Sequence, residues 1–279
     1  MKKKGSRLAK FAILLLIIIV LFPTIYTIAN SFMSPTEILE YYGASVSNNK
    51  VAFHIIPDSF SLESYYQVFV RRPDYLKKFW YSLLLCFTIV VGQVVVSLFG
   101  GFAFATMQIP FKKSIYFVLI LLMLMPIQVM LIPNYIVLDK MKVLGTYWAL
   151  ILPAVFSPFG TFLLSQIFKG IPNIIAEAAK LDGANSVQIL LRIFAPASKS
   201  GIISLAVLTF IDAWNMVEQP LIYLSNTTQY PLSVFLSSVN MMNFAVSFAC
   251  AILSMLPVAL MFLYFNQELI EGIEFSGIK

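Results

Sequence analysis

Six apolar runs, each about as long as a membrane is thick, limit what this chain can fold into. Each has the roughly 20 residues that a helix needs to cross about 30 Å of hydrocarbon. A sheet cannot be the spanning element, because open edges are unsatisfied in lipid and no segment alternates like a barrel strand. The sequence therefore predicts an all-α polytopic membrane protein that forms one transmembrane domain over residues 1–279. Its predicted spans are about residues 11–30, 79–107, 115–137, 148–168, 201–223 and 244–265.

The composition agrees with this class. Hydrophobic residues make up 59% of the chain and charged residues only 11%, against about 25% charged residues in an ordinary globular domain. The net charge of +6 is concentrated between the apolar runs, and no basic face is interleaved with aromatic residues. Nucleic acid is therefore not an expected partner.

The first apolar run follows a basic cluster and has two possible interpretations. It is either a cleaved signal peptide or an uncleaved first span. It is longer than the usual signal core of about 7–15 residues, and no small-x-small cleavage site follows it. We therefore predict an uncleaved span. The basic residues that precede it are Lys2, Lys3, Lys4, Arg7 and Lys10.

The distribution of lysine and arginine predicts the topology. Basic residues collect in cytoplasmic loops, so the N-terminus is expected in the cytoplasm, and six spans return the C-terminus to the same side. This places residues 33–78 outside and residues 169–199 and 266–279 inside. Lys140 and Lys142 fit less well, because they fall in a short predicted external loop.

Several kinds of chemistry are not expected. Cys86 and Cys250 lie in apolar runs and are expected to be small buried hydrophobes. His54 is the only histidine and has no cysteine or histidine near it in the sequence, so no metal site is predicted. No G-x-x-x-x-G-K motif occurs, so the chain has no P-loop for ATP. We predict no catalytic residue and no enzyme activity in this chain.

The loop 169–199 predicts two short helices joined by a turn. Apolar residues recur at i, i+3, i+4 and i+7 in each half, which is the spacing of one helical face. Gly183 suits the turn, and Asn185 or Ser186 can cap the second helix. The residues alone equally allow an amphipathic pair on the membrane surface with no partner. The two faces are Ile171, Ile174, Ile175 and Ala178, and Val187, Leu190, Leu191 and Phe194.

The segment from Glu177 to Ala184, with Ile193 and Pro196, resembles a known signature. It is similar to the E-A-A-x-x-D-G-A…I-x-x-P loop of permease subunits of ATP-binding-cassette (ABC) importers, with Leu190 and Ala195 as departures. The resemblance extends over about residues 79–279, to the carbohydrate branch of the second maltose-transporter permease type. Its further segments are Met125–Val129, Ile132–Pro133, Ala149–Pro153, Pro158–Gly160, Trp214–Asn215, Tyr230–Leu232 and Gly272–Lys279.

The resemblance implies a type I ABC importer permease fold and a set of partners. These are a second, different permease subunit, two ATPase subunits that bind ATP and Mg, and an external binding protein that delivers a carbohydrate near residues 225–243. The chain itself is expected to bind no cofactor and to lie in a bacterial plasma membrane. The resemblance assigns ATPase coupling to Glu177, Ala178, Ala179, Asp182, Gly183 and Ala184, and a tail contact with the ATPases to Gly272, Gly277 and Lys279.

Asp212 is the main candidate for the substrate path. It lies about 15 Å into the fifth run, where a carboxylate is costly unless it faces water or a partner. Asn215 and Gln219 follow at i+3 and i+7, and Trp214 offers an aromatic face for a sugar. The alternative is that Asp212 and Trp214 are structural. The sequence does not show whether the other polar residues of the spans line the path or bridge helices. These residues are Gln93, Gln128, Asn134 and Gln166.

Three other functions compete with sugar or oligosaccharide import. An importer for a glycerophosphodiester or polyol would share the coupling loop. However, no basic residue lies in the middle of a run, which favours a neutral solute. An ion-coupled secondary transporter needs no coupling loop, and paired broken helices are not evident in the sequence. A membrane scaffold without transport is the third alternative.

Overall fold

In the computed structural model of the chain, the described residues are 2–42, 54–71, 73–238 and 244–276, and all regular elements among them are helices. Two π-helical turns cover Gln67–Arg71 and Leu190–Phe194, and a 3-10 turn covers Thr227–Gln229. The α-helices are α1 (Lys2–Ser31), α2 (Pro35–Tyr42), α3 (Glu63–Tyr66), α4 (Pro73–Thr106), α5 (Lys112–Leu124), α6 (Ile127–Lys140), α7 (Trp148–Val155), α8 (Pro158–Lys169), α9 (Asn173–Leu181), α10 (Ser186–Ile189), α11 (Ala195–Ala197), α12 (Lys199–Trp214), α13 (Glu218–Tyr223), α14 (Leu232–Ser238) and α15 (Phe244–Ser276).

Within these described ranges, four segments are long and apolar enough to cross a membrane unaided, and two bent helix pairs raise the total to as many as six. The four segments are Lys10–Ser31, Asp74–Thr106, Trp148–Lys169 and Val246–Gly272. The bent pairs are Lys112–Leu124 with Ile127–Lys140, at 109°, and Ser186–Ala197 with Lys199–Trp214, at 84°.

Two helix breaks interrupt runs that are continuous in hydropathy. Met125 and Pro126 separate α5 from α6 and have extended backbone, with ψ of 131° and 140°. Proline disfavours a helical conformation of the residue before it, so the break falls at Met125. In the fifth run, α12 ends at Trp214 and Asn215 caps it, so Gln219 belongs to the separate helix α13.

The chain divides into two compact units. The first consists of residues 1–79 and 235–256, and the second of residues 80–234 and 257–279. In the first unit, Met33, Ile38 and Tyr42 form a buried cluster against which Tyr26 and Phe248 pack.

A hydrophobic core cluster of the second unit lies where the loop 169–199 meets α4, α8 and α12. It includes Phe102 of α4, Leu164 and Phe168 of α8, Phe194 of the loop and Leu205 of α12, all at most 4% exposed. Glycines allow α4 and α8 to approach closely. A Cβ on Gly101 would lie 2.8 Å from the Leu164 Cβ, so no larger residue fits there without a shift.

Candidate functional site

The loop 169–199 forms a helical hairpin whose turn is fixed by local hydrogen bonds. Gly183 has φ +86°, its N–H donates to the Lys180 carbonyl at 3.0 Å, and the Ala184 N–H donates to the Ala179 carbonyl at 2.9 Å. This pair of bonds is the Schellman motif that ends helices at a glycine. A Cβ on Gly183 would meet no atom within 4 Å. The glycine is therefore required by its backbone angle and not by crowding.

A capping box starts the second half of the hairpin. The Asn185 side chain accepts from the Gln188 N–H at 2.8 Å, and the Gln188 side chain accepts from the Asn185 N–H at 2.9 Å. These bonds satisfy two donors that a helix start otherwise leaves without partners. The C-terminus of α9 and the N-terminus of α10 are therefore both capped by residues of the hairpin itself.

The hairpin rests on the core through its second half. Ile189, Leu190 and Phe194 are at most 1% exposed. The Phe194 ring packs edge-on against Phe102 of α4 at 5.1 Å and against Phe168 of α8 at 5.6 Å between ring centroids. Of the predicted face, Leu190 and Phe194 are buried, whereas Val187 and Leu191 are exposed and Ile189 is buried in their place.

The apolar face of α9 points away from the core. Ile174 is 72% exposed and Leu181 90% exposed, whereas Ala176 makes the core contact. Val187 and Leu191 of the second half are also about half exposed. We call Ile174, Ile175, Ala178 and Leu181 the apolar ridge. An exposed apolar patch of this kind marks an interaction surface.

The predicted coupling residues divide between this surface and the core. Glu177, Ala178, Asp182 and Gly183 are exposed. Ala179 and Ala184 are partly buried and pack against the core cluster. The structure thus presents two acidic side chains beside the apolar ridge, while the small residues on the inner side let the hairpin lie close to the spans.

A cavity of about 910 Å³ opens in the second unit, among α4 to α8, α12 and α13. Its polar lining consists of amides, acids and hydroxyls, and none of the described residues that line it is a lysine or an arginine. The principal polar lining residues are Gln93, Gln128, Asn134, Ser157, Thr209, Asp212, Asn215, Glu218, Gln219 and Tyr223.

Of the predicted path residues, Asp212, Asn215 and Gln219 line the cavity, although the helix break removes the continuous i+7 register expected for Gln219. Trp214 is not among the lining residues. It is 7% exposed and stacks on Phe210 with 5.6 Å between ring centroids. The aromatic face that was expected from Trp214 is therefore covered by its own helix.

Sequence reasoning missed two features of the cavity. Phe156, in the break between α7 and α8, lines the cavity and is 65% exposed. Gln128 of α6 donates to both carboxylate oxygens of Glu218 of α13, at 3.0 and 3.2 Å. Pro153 and Pro158 lie on either side of Phe156. Because proline interrupts helices, these two residues could have predicted the break that exposes the Phe156 ring.

The four polar residues whose orientation the sequence did not predict fall into two groups. Gln93, Gln128 and Asn134 line the cavity. Gln166 instead donates to the Tyr116 hydroxyl at 2.7 Å and so joins α8 to α5.

The last helix packs against α12 through one of the predicted tail residues. Gly272 is buried, and a Cβ there would collide with the Ser204 hydroxyl. The same hydroxyl donates to the Glu268 carbonyl at 2.7 Å. Gly272 is thus a packing residue in this structure. The other two predicted tail residues, Gly277 and Lys279, lie outside the described residues.

Residues 97–268, more than half of the chain, match the family described as "Binding-protein-dependent transport system inner membrane component". The chain belongs to this family. The sequence resemblance to ABC importer permeases is thereby confirmed, together with the all-α polytopic fold. The chain is a permease subunit and a multi-pass membrane protein.

Relatives and a solved structure agree with this family. The chain is 23% identical to the arabinooligosaccharides transport system permease protein AraQ of Halalkalibacterium halodurans, over the full length of both. It is 28% identical to Protein LplC of Bacillus subtilis, over 94% of this chain and 90% of that one. It is 26% identical to the sn-glycerol-3-phosphate transport system permease protein UgpE of Brucella abortus, over 96% of each.

The fold is that of a solved ABC importer. A chain of a bacterial ABC transporter that imports the acidic polysaccharide alginate superposes with a TM-score of 0.79. The superposition covers 96% of this chain and 98% of the other chain, at 21% sequence identity. At that identity the superposition establishes the fold alone.

Proposed function

We propose that this permease imports a neutral sugar or oligosaccharide, forms half of the translocation path with a second, different permease, and is driven by two ATPase subunits. The main support for this substrate class is the lining of the cavity. Carboxylates and amides of Asp212, Asn215 and Gln219 accept and donate hydrogen bonds as hydroxyl-rich ligands require. The exposed Phe156 ring offers an apolar face for the C–H side of a sugar.

An anionic solute is the second candidate, because one relative is named for sn-glycerol-3-phosphate. A phosphate is usually bound by lysine, arginine or backbone amides at a helix start. The described cavity lining contains two acids and no such cation. Repulsion from these acids favours the neutral solute for the surface that this chain contributes.

The helical hairpin supports the coupling proposal. The apolar ridge provides the contact area, and Glu177 and Asp182 provide charges for a basic groove. ATP and Mg are assigned to the partner ATPases, since this sequence carries no P-loop motif. In this arrangement both termini and the hairpin lie in the cytoplasm, and an external binding protein delivers the solute on the opposite side.

Uptake by the complete transporter tests the substrate class. Cells that express the chain together with its partner permease, ATPases and binding protein should accumulate a labelled neutral oligosaccharide. Unlabelled glycerol phosphate in excess should not compete. Uptake of glycerol phosphate, with no uptake of neutral sugars, would replace the first candidate by the second.

A further inference from the structure

Three side chains of types that can ligate a metal meet in the first unit, one from α2 and two from a later segment. Glu37 belongs to α2, whereas His54 and Asp58 belong to the segment before α3. One donor atom from each residue lies within 4.8 Å of the others. The His54 Nε2 atom is 3.3 Å from the Asp58 Oδ1 and 3.9 Å from the Glu37 Oε1.

The buried carboxylate in this cluster is incompletely satisfied. Glu37 is only 6% exposed, and its Oε1 accepts the Asp58 N–H at 2.7 Å, but its Oε2 is buried without a hydrogen-bond partner. The His54 Nε2 also makes no hydrogen bond, although it is close to both acids. A buried carboxylate oxygen without a partner is costly. The cluster thus holds one buried carboxylate oxygen and one buried imidazole nitrogen without a partner, and a bound cation would satisfy both.

The surrounding residues hold the three side chains in place. The Tyr41 hydroxyl donates to the Asp58 Oδ2 at 2.8 Å, which leaves the Oδ1 for another ligand. The Tyr41 ring also stacks on His54, nearly parallel, at 4.1 Å between centroids. The Tyr42 hydroxyl donates to the His54 carbonyl at 2.7 Å. Hydrogen bonds of this kind orient ligands at metal sites and raise their affinity.

We propose that Glu37, His54 and Asp58 bind a divalent transition metal, of which Zn²⁺ is the representative ion. Ligands about 2.1 Å from a tetrahedral zinc lie about 3.4 Å from one another. The His54–Asp58 separation of 3.3 Å is close to that value, and the His54–Glu37 separation of 3.9 Å is longer and would shorten on binding. An imidazole nitrogen among the donors favours zinc over Ca²⁺ and Mg²⁺, which take oxygen ligands.

The site is open on one side. Asp58 is 62% exposed and the His54 side chain is 26% exposed, whereas Glu37 forms the closed floor. A metal ion can therefore approach from the side of Asp58 and reach the two buried donor atoms behind it. Once bound, it joins the segment before α3 to α2, within the part of the chain that the sequence predicts to be external.

Zinc binding by the full chain in lipid nanodiscs tests the site. The protein is purified through a tag without histidine, dialysed against metal-free buffer and titrated with ZnCl₂ in competition with a chromophoric chelator. Because His54 is the only histidine, ¹⁵N-histidine labelling gives one imidazole, and its Nε2 resonance reports coordination directly. CaCl₂ and MgCl₂ are titrated in parallel.

We expect one zinc ion per chain and a shift of the single Nε2 resonance. Glu37→Gln and His54→Gln should weaken binding by at least roughly tenfold, since even residues that only orient a ligand change affinity by about 10–100-fold. Tyr41→Phe should also weaken binding, by a smaller factor. The matched control is Glu40→Gln, which removes an exposed acid of the same helix and should bind zinc like the wild type.

Two results would overturn the proposal. One is a wild-type chain that retains no zinc and shows an unmoved imidazole resonance. The other is equal zinc affinity in wild type and Glu37→Gln, which would place the ion elsewhere. The resonance is measured on the wild type, so it decides the matter even if a variant fails to fold. None of these outcomes depends on the solute that is transported.

Discussion

The left-handed backbone of Gly183 makes it the most sensitive single residue of the hairpin. A β-branched residue there is strained at φ +86°, whereas asparagine tolerates a left-handed conformation. We expect Gly183→Val to reduce uptake at least several-fold with normal membrane insertion, and Gly183→Asn to retain most activity. Uptake per inserted chain is the measurement. Equal activity of the two variants would show that the turn angle is not required.

Phe156 and Trp214 should respond differently to removal of their rings. Phe156→Ala removes an exposed face worth about 1 kcal/mol, or roughly fivefold in sugar affinity, and leaves folding intact. Trp214→Ala opens a cavity in the core and should cost about 3–5 kcal/mol of stability.

The measurement is sugar affinity per assembled complex, together with the yield of folded protein. Phe117→Ala serves as a control, because Phe117 is 60% exposed and does not line the cavity. A loss of affinity in Trp214→Ala without a loss of yield would restore Trp214 to the substrate path.

Asp212→Asn should change selectivity between two competing sugars, because it keeps the shape of the side chain and removes the charge.

At the scale of the helix, the apolar ridge of α9 is expected to hold the ATPase. Leu181 is 90% exposed, so Leu181→Asp removes no internal packing and should still lower co-purification of the ATPase. Leu181→Met keeps the apolar contact and is the matched control. Glu177→Lys should weaken the same complex by placing like charges together. Undiminished co-purification in both Leu181→Asp and Glu177→Lys would exclude this face as the docking surface.

The packing of the last helix and its predicted contact with the ATPases can be separated by different variants. Gly272→Val forces a side chain against Ser204 and should cost about 1–3 kcal/mol of stability, as overpacking does. Deleting residues 277–279 leaves that contact in place and tests the predicted contact with the ATPases. We expect the deletion to lower ATP hydrolysis by the assembled transporter without changing its thermal unfolding. Unchanged hydrolysis would show that these residues are not needed for the contact.

The sequence predicted the hairpin better than it predicted the cavity. Gly183 and Asn185 act through bonds to residues at most five positions away, so the local sequence determines the turn. The facing of Ile174 and Leu181 was not predictable, because an apolar face has the same period whether it meets the core or a partner. The burial of Trp214 was not predictable for a related reason, since stacking on Phe210 depends on a packed interior that hydropathy does not describe.

At the scale of the molecule, the charge distribution predicts a topology that fusions can test. Reporter domains at Lys112 and Asn185 should be cytoplasmic, and those at Asn48 and Thr228 external, because the basic N-terminus stays inside. Of these positions, Asn48 lies outside the described residues. A reporter found on the opposite side of the membrane at any of the four positions would exclude the arrangement of six spans with both ends inside.

The ring of Phe194 connects the hairpin to two of the spans. It is wedged between Phe102 and Phe168, which belong to two different spans. A pull on the hairpin therefore cannot slide one of these spans past the other without separating the rings. We therefore expect these two spans to move together with the hairpin as one block, since each edge-on ring pair contributes about 0.5–1.5 kcal/mol. The 109° bend between α5 and α6 lies outside this block, and Met125 and Ile127 beside it line the cavity.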